Sequence, residues 1–130
     1  MSYQSALNTL QWSTHIEVDE PDGSTYFDGT DFEPSKELEQ RLLTDWESFQ
    51  AQAIELGFDP EKHRITYIDL SQGDYWDYAA HDFILTRNGH GAGFWDGDWS
   101  EPIATKLTEL CEKFGEINIY LSDENLLEAY

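Results

Sequence analysis

Positive charge is scarce in this sequence. The chain of 130 residues has seven Lys and Arg against 27 Asp and Glu, which gives a formal net charge of −20 at pH 7. Residues 1–33 hold seven of the acids and no Lys or Arg. Because DNA, RNA and anionic membranes are bound through basic surfaces, the sequence argues against direct binding of nucleic acid or membrane and favours a basic partner.

Cysteine and long apolar runs are also nearly absent. The single cysteine, Cys111, cannot form an internal disulfide, which is typical of a reducing cytosol. No apolar run approaches the length of a membrane span, and residues 1–12 lack the basic start and apolar stretch of a signal peptide. We therefore expect a cytoplasmic protein.

Large apolar side chains, in contrast, are plentiful. Aromatic residues make up 15% of the chain and hydrophobic residues 39%, which is enough to build a core. The length suits one domain and leaves no room for two. We expect a single acidic domain over residues 1–130, with a short helix at 3–12 and an acidic, loop-rich segment at about 13–33.

Apolar residues spaced three and four positions apart predict two main helices. The first covers about 34–56 and ends at Gly57, which favours a left-handed stop. The second covers about 101–114, with Ser100 as the expected N-cap. Cys111 falls on the inner face of the second helix, so we expect it to be a core residue rather than a reactive thiol.

Alternation of apolar and polar residues predicts short strands. The segment at about 82–96 alternates on both sides of a glycine-rich link, which is typical of a β-hairpin, and a further strand is predicted at about 117–121. A weaker pattern indicates another strand at 64–70. The fold class predicted is α+β, with a short antiparallel sheet and helices packed on one face.

Polar residues of chemical interest concentrate between positions 81 and 98. His and Asp are ligands for zinc or manganese, so one alternative is a metal-dependent enzyme centred on His81, Asp82, His90 and Asp96. Their spacing matches no known ligand template, and local hydrogen bonding is the favoured interpretation. We predict no catalytic residue, no metal and no cofactor.

Glycines in this region suggest a phosphate-binding loop only superficially. Gly89, Gly91 and Gly93 are followed by residues that favour a strand or turn, whereas a phosphate loop needs a following helix. We expect a tight hairpin with close backbone approach.

Carboxylates alternate with large rings at 74–78 and 94–99. Tyr and Trp anchor protein interfaces, while exposed carboxylates steer a basic partner, although these rings are equally well explained as core residues. The partner-binding residues that we predict are Glu17, Asp19, Glu20, Asp22, Asp74, Trp76, Asp77, Asp96, Asp98 and Trp99.

The segment HDFILTRNGHGAGFWD at residues 81–96 resembles one found in a group of small, acidic proteins of bacteriophages and mobile elements. The resemblance is strongest over about the last fifty residues, and it departs at Ile84, where Trp is expected. It implies a phage-like setting in a host cytosol, without a mechanism. The motif residues that it indicates are His81, Asp82, Arg87, Asn88, His90, Phe94 and Trp95.

Together these features predict a non-enzymatic inhibitor that mimics DNA. Its partner would be a basic nucleic-acid-binding host protein, such as a restriction or CRISPR component, because dispersed carboxylates suit the same basic cleft as a phosphate backbone. An alternative is a small acidic accessory protein whose charge serves solubility or adaptation to salt. The oligomeric state, and whether the segment at 13–33 orders only on binding, stay open.

Overall fold

The computed structural model describes residues 2–130, and all side chains among them except those of Asp19, Glu20 and Ser24. Within this range the predicted α+β class is confirmed, with five α-helices and two small sheets. The elements in chain order are α1 (Ser2–Trp12), β1 (His15–Glu20), β2 (Gly23–Asp28), a 3-10 turn (Gly29–Asp31), β3 (Glu33–Pro34), α2 (Lys36–Glu55), α3 (Pro60–His63), α4 (Tyr75–Arg87), α5 (Ile103–Phe114), β4 (Ile119–Leu121) and β5 (Leu126–Ala129).

Helix α2 forms where its apolar stripe predicts it. Ser35 caps its first turn, because the hydroxyl accepts a hydrogen bond from the amide of Leu38 at 3.0 Å. Gly57 follows the helix in a left-handed conformation with φ of 94°. The buried face consists of Leu38, Leu42, Trp46, Phe49 and Ala53.

Helix α5 is also confirmed, but its predicted cap is wrong. Pro102 occupies the N-cap position and makes no side-chain capping bond, so Ser100 lies outside the helix. The carboxylate of Glu101 instead accepts a hydrogen bond from the amide of Thr105 at 2.8 Å, which satisfies one of the amides left free at the helix start. Cys111, on the inner face, is fully buried as predicted.

The predicted hairpin at 82–96 is wrong, because residues 82–87 belong to helix α4. Asp74 and Asp77 start this helix with reciprocal bonds: each carboxylate accepts from the other residue's amide, at 2.9 and 2.8 Å. The second half of α4 is buried on every side, from Ala79 onward except for His81. A helix enclosed in this way shows no polar face, so the sequence lacks the helical period that would have revealed it.

The glycine-rich loop after α4 approaches this helix closely, so the tight hairpin predicted here is wrong and the close approach is made to a helix. Gly93 has a φ of 157°, and a Cβ at this position would overlap the Thr86 side chain. The next amide, that of Phe94, donates to Thr86 Oγ1 at 3.0 Å. The loop is therefore fixed on α4 and carries the Phe94 ring into the core.

The segment at 13–33, for which loop or short extended pieces are expected, is a β-hairpin of two six-residue strands followed by a 3-10 turn. Strands β1 and β2 pair antiparallel, with Glu17 opposite Tyr26 and Ile16 opposite Phe27. Ile16 is buried and anchors the hairpin to the core. Alternating apolar residues specify this inner face, although turn residues and acids dominate the composition.

The second sheet has the order β3-β5-β4. The strand predicted at 117–121 is confirmed as β4, which pairs antiparallel with β5. Strand β3 pairs parallel with β5, so the sheet is mixed rather than antiparallel. The strand indicated at 64–70 is wrong, since this segment has only an isolated bridge between Arg64 and Trp99.

Aromatic rings fill the centre of the domain. Phe49 of α2 stacks on Phe83 of α4 with ring centroids 4.4 Å apart, and Phe94 lies 5.8 Å from Phe49 on another side. Trp46 and Phe58 extend the same cluster toward the surface. In the described part of the chain, no helix combines the length and hydropathy needed to cross a bilayer.

Candidate functional site

The surface of the molecule is strongly acidic because its carboxylates face outward while its paired cations face inward. Among the described side chains, Asp82 is the one buried acid. Arg64 and Arg87 are the Lys or Arg residues that form ion pairs with carboxylates in the described range, and their side chains are 10% and 0% exposed. Two of the seven Lys and Arg side chains thus lie in the interior, and the charges exposed to solvent are mainly negative.

The part of the chain that has seven acids and no Lys or Arg, residues 1–33, includes the β1–β2 hairpin and the turn that follows it. We call the surface of this hairpin and turn the hairpin surface; its described side chains are Glu17, Asp22, Tyr26, Asp28, Asp31 and Glu33. Glu17 lies opposite Tyr26 across the strand pair, so the two share a face, and Tyr26 is 65% exposed. At about 3.4 Å per residue, the six-residue strand alone extends this surface over about 17 Å.

The electrostatics of the hairpin surface keep it charged. Hydrogen bonds from the Thr30 side chain and backbone lower the pKa of Asp28. The carboxylate of Asp28 therefore stays ionised well below neutral pH. His15 lies opposite Asp28 on the same face.

The predicted partner-binding residues separate into surface and interior groups. Glu17, Asp22, Asp74 and Asp96 are exposed, while Asp77, Asp98 and Trp76 are partly buried. The side chains of Asp19 and Glu20 lie outside the described ones. Hydrogen bonds join Asp74 to Asp77 and Asp96 to Asp98.

Trp99 is a core residue, so its assignment to a partner-binding surface is wrong. Its side chain is 1% exposed, with Phe58 at 5.4 Å and Phe94 at 5.7 Å between ring centroids. Trp76 also packs inward, 5.4 Å from Phe58. The ring of Trp99 therefore belongs to the core, and the ring of Trp76 is partly buried against it. This agrees with the alternative interpretation of the rings beside the acids.

A cluster around Arg64 joins two loops to helix α4. The guanidinium lies between the rings of Tyr78, at 5.1 Å, and Trp99, at 4.8 Å. It faces Asp98 at 3.8 Å and Asp82 at 4.0 Å. We call Arg64, Tyr78, Asp82, Asp98 and Trp99 the Arg64 cluster; it combines cation–π contacts with charge pairing in a largely buried position.

Asp82 is the anion at the centre of this cluster. Its Oδ2 accepts a hydrogen bond from Trp99 Nε1 at 2.6 Å, and its Oδ1 lies 3.0 Å from His81 Nδ1. A buried carboxylate needs such partners, because an unpaired one would cost several kcal/mol, on the order of 3–5. The role of Asp82 that this geometry supports is to hold the loop at residue 99 against α4.

The other polar motif residues also make contacts that hold the fold. Arg87 donates to Asp45 at 3.0 Å and to the carbonyl oxygens of Phe114 and Gly115 at 3.2 and 2.8 Å. The side chain of Asn88 donates to the Ile117 carbonyl and accepts from the Ile117 amide, at 3.2 and 2.8 Å. The motif therefore links α4 to the segment that leads into β4.

The structure brings His81 and Asp82 together, but it shows no larger ligand set. Among the side chains that the structure describes, no group of three or more His, Cys, Asp or Glu is arranged to hold a metal ion. Asp96 lies in the loop between α4 and α5. Partial desolvation of its carboxyl group, followed by the charges of Asp98 and Asp82, raises its pKa. Its carboxylate accepts from the amides of Gly93 and Asp98, which stabilises the turn.

A shallow cleft of about 280 Å³ lies between α1 and α4. His81 lines it and also lies 5.7 Å from the Trp12 ring. Several of its polar groups already bond to one another, since Ser5 donates to Asp77 at 2.8 Å. Nothing in the sequence pattern marked Ser5 as part of a cleft, because only the pairing of α1 with α4 brings it to Asp77.

Sequence reasoning missed a group of exposed apolar side chains beside the Arg64 cluster. Tyr67 is 89% exposed, and Ile65, Leu70 and Trp95 are 55–64% exposed. The alternation at 64–70 suggested a strand with one buried face, whereas most of these side chains face solvent. The signal that remained was the presence of large apolar residues in a segment that is otherwise irregular.

No family model, curated protein or solved structure matches the chain.

Proposed function

We propose that this protein binds a basic nucleic-acid-binding protein and occupies the site that would otherwise hold DNA. The observation that supports this function is the hairpin surface, which presents carboxylates over about 17 Å of strand with no Lys or Arg among residues 1–33. A restriction or CRISPR component is the kind of partner that fits a phage-like setting. The mechanism requires no catalytic residue.

Charge density is the physical basis of the proposal. Duplex DNA carries one negative charge per about 1.7 Å of its axis, and proteins that bind it gain affinity by releasing counterions. Carboxylates on a folded protein release counterions from the same basic cleft. Because the side chains of Arg64 and Arg87 are buried, the surface has a large excess of negative charge.

A competition assay with purified DNA-binding proteins tests the function. A fluorescent duplex is bound to each member of a panel of restriction endonucleases and CRISPR effectors, and this protein is then added while the anisotropy is followed. We expect displacement of the duplex from at least one member, with an affinity that falls roughly tens-fold between about 50 and about 200 mM salt. Absence of displacement at low salt, or an affinity that salt does not change, would overturn the proposal.

Two matched variants locate the surface responsible. Glu17→Lys with Asp22→Lys reverses two exposed charges on the hairpin surface, and Glu109→Lys with Glu112→Lys makes the same change on α5. Both pairs change the net charge equally, so a bulk effect would weaken displacement equally. We expect the hairpin pair to weaken displacement at least about tenfold more than the α5 pair, because close charge pairs at such interfaces contribute more than about 1.4 kcal/mol.

The same variants separate mimicry from a charge that serves solubility alone. If acidity only keeps the protein hydrated in concentrated salt, no panel member should lose its duplex, and both variants should behave alike. A difference between the two pairs requires a defined binding surface.

A further inference from the structure

Two loops that are joined by hydrogen bonds carry four exposed apolar side chains. We call Ile65, Tyr67, Leu70 and Trp95 the loop patch; the first three lie between α3 and α4, and Trp95 lies between α4 and α5. All four are more than half exposed, and Tyr67 reaches 89%. Single exposed apolar residues are common, but four large ones on two joined loops are characteristic of an interaction site.

The two loops are held together by direct bonds. The amide of Ile65 donates to the carbonyl of Asp98 at 2.9 Å, and Thr66 Oγ1 donates to Asp98 Oδ1 at 3.1 Å. Arg64, the residue before, is fixed between Tyr78 and Trp99. The Arg64 cluster thus gives the loop patch a preformed base, which lowers the entropy cost of binding.

Acidic side chains border the loop patch. Asp69 and Asp98 are partly exposed and Asp96 is exposed, all on the same two loops. Hydrogen bonds from the Ser71 side chain and backbone lower the pKa of Asp69, so its carboxylate is charged at neutral pH. The nearest cation in sequence, Arg64, is turned inward and already paired.

This combination selects the chemistry of the occupant. Carboxylates at the border of an apolar centre complement a surface on which Lys or Arg surrounds an apolar group. A second copy of this chain is disfavoured, because two molecules of charge −20 repel each other.

We propose that the loop patch is the apolar contact centre for a basic protein, whose cationic residues pair with Asp69 and Asp96. This rests on the proposed function and adds to it a second contact surface, one whose affinity comes from burial of rings rather than from charge alone. Tyr67 and Trp95 are the expected anchors, since Tyr and Trp contribute most at interfaces.

Paired peptides provide the test. The probes are a short peptide that combines arginine with leucine and the same peptide with serine in place of leucine, each titrated into the protein by calorimetry at the same salt concentration. We expect the arginine–leucine peptide to bind at least about tenfold more tightly, which is a difference of about 1.4 kcal/mol. Tyr67→Ser with Trp95→Ser should abolish this preference.

The control changes exposed apolar residues elsewhere. Ile54→Ser with Leu56→Ser alters side chains that are 55% and 42% exposed at the end of α2, and it should leave the preference intact. Tyr67→Ser alone, at the most exposed position, serves as a variant with minimal effect on folding. Circular dichroism checks that each variant retains its helices.

The outcomes separate the two proposals. Equal binding of both peptides to the unchanged protein, or a preference that survives Tyr67→Ser with Trp95→Ser, overturns the loop patch while leaving DNA mimicry in place. If neither peptide binds at low salt, the result counts against both proposals. Light scattering that shows a dimer in the unchanged protein and a monomer in the double variant would also overturn the proposal, because a second copy would then cover the patch.

Discussion

Arg87 shows how a charged side chain becomes part of a core. Its side chain is fully buried, its guanidinium bonds to one carboxylate and two carbonyl groups, and it lies over the rings of Phe83 and Phe114. Burial lowers the pKa of Arg87, while Asp45 acts in the opposite direction. With every donor region facing an acceptor or a ring, the cost of burying this charge is offset.

Replacing Arg87 should therefore be severe. Arg87→Met keeps apolar contact with Phe83 but leaves Asp45 and two carbonyl groups without their donor. We expect the free energy of unfolding, measured by urea denaturation, to fall by about 3 kcal/mol or more. Arg41→Met is the matched control: Arg41 is exposed and donates only to the carbonyl of Tyr130, so a loss of about 0.5 kcal/mol or less is expected. Equal losses would contradict the structural role of Arg87.

Cys111 gives a prediction about pH. Burial raises the pKa of the Cys111 thiol well above its ordinary value. In the unfolded chain the thiol loses its proton near pH 8.5, whereas the folded protein keeps it. The unfolded state then binds fewer protons, so the stability that the neutral thiol contributes is complete below about pH 8.5 and is lost as pH rises toward the folded pKa.

A comparison with Cys111→Ala isolates this effect. Urea denaturation under reducing conditions should show the unchanged protein losing stability more steeply above about pH 8.5 than the variant, by up to about 1.4 kcal/mol per pH unit. The variant is less stable at neutral pH because it leaves a small cavity, and the gap should narrow on the alkaline side. Parallel curves from pH 7 to about 10 would contradict a buried, protonated thiol.

At the scale of elements, the sequence predicts the helices and strands that have one buried face and one solvent-exposed face. The helices at α2 and α5 and the strand β4 each combine a buried stripe with a polar face, so their periods are visible in the sequence. Helix α4 lacks a polar face in its second half, and its residues alternate by coincidence. Asp74 and Asp77, three residues apart, were the available signal for its start.

Of the strands that were missed, β3 depends on a partner distant in sequence. Strand β3 has two residues and exists because it pairs with β5, more than ninety positions later. No local pattern can specify such a pairing, because its stability comes from the assembled sheet. The same reason explains the segment at 64–70, whose alternation did not find a strand to pair with beyond one bridge.

The contact between the glycine-rich loop and α4 is a test of how elements fit together. Gly93→Ala adds a methyl group against Thr86 at a φ that side chains rarely adopt, so we expect the free energy of unfolding to fall by about 2–3 kcal/mol. Gly91→Ala, two residues earlier, places its methyl group in open space and should change stability by about 0.5 kcal/mol or less. Similar urea midpoints for both variants would show that the loop does not lie on α4.

For the whole molecule, composition predicted the sign of the surface charge but not how the charged side chains are arranged. The net charge and the absence of Lys and Arg from residues 1–33 were visible in the sequence. Which carboxylates face solvent was not, because Asp82 and Asp98 look like their neighbours until Arg64 folds between two rings. The loop patch was hidden for a related reason: an apolar residue is assigned to the core unless the fold leaves it outside.

Net charge also predicts how salt affects the entire molecule. Repulsion among exposed carboxylates destabilises the compact state, and salt screens it, since the Debye length falls from about 30 Å at 0.01 M to about 3 Å at 1 M. We expect the melting temperature to rise with sodium chloride over this range, and equally with potassium chloride because screening is not ion-specific. The variant with Glu17→Lys and Asp22→Lys should melt at a higher temperature than the unchanged protein at low salt, and its melting temperature should respond less to salt.

The affinity for a basic partner should change in the opposite direction and weaken as salt rises, because the carboxylates that repel one another in the free protein are those that attract the partner. A melting temperature that falls with salt, or that depends on which monovalent cation is present, would show that specific ion binding rather than self-repulsion controls the stability of this fold.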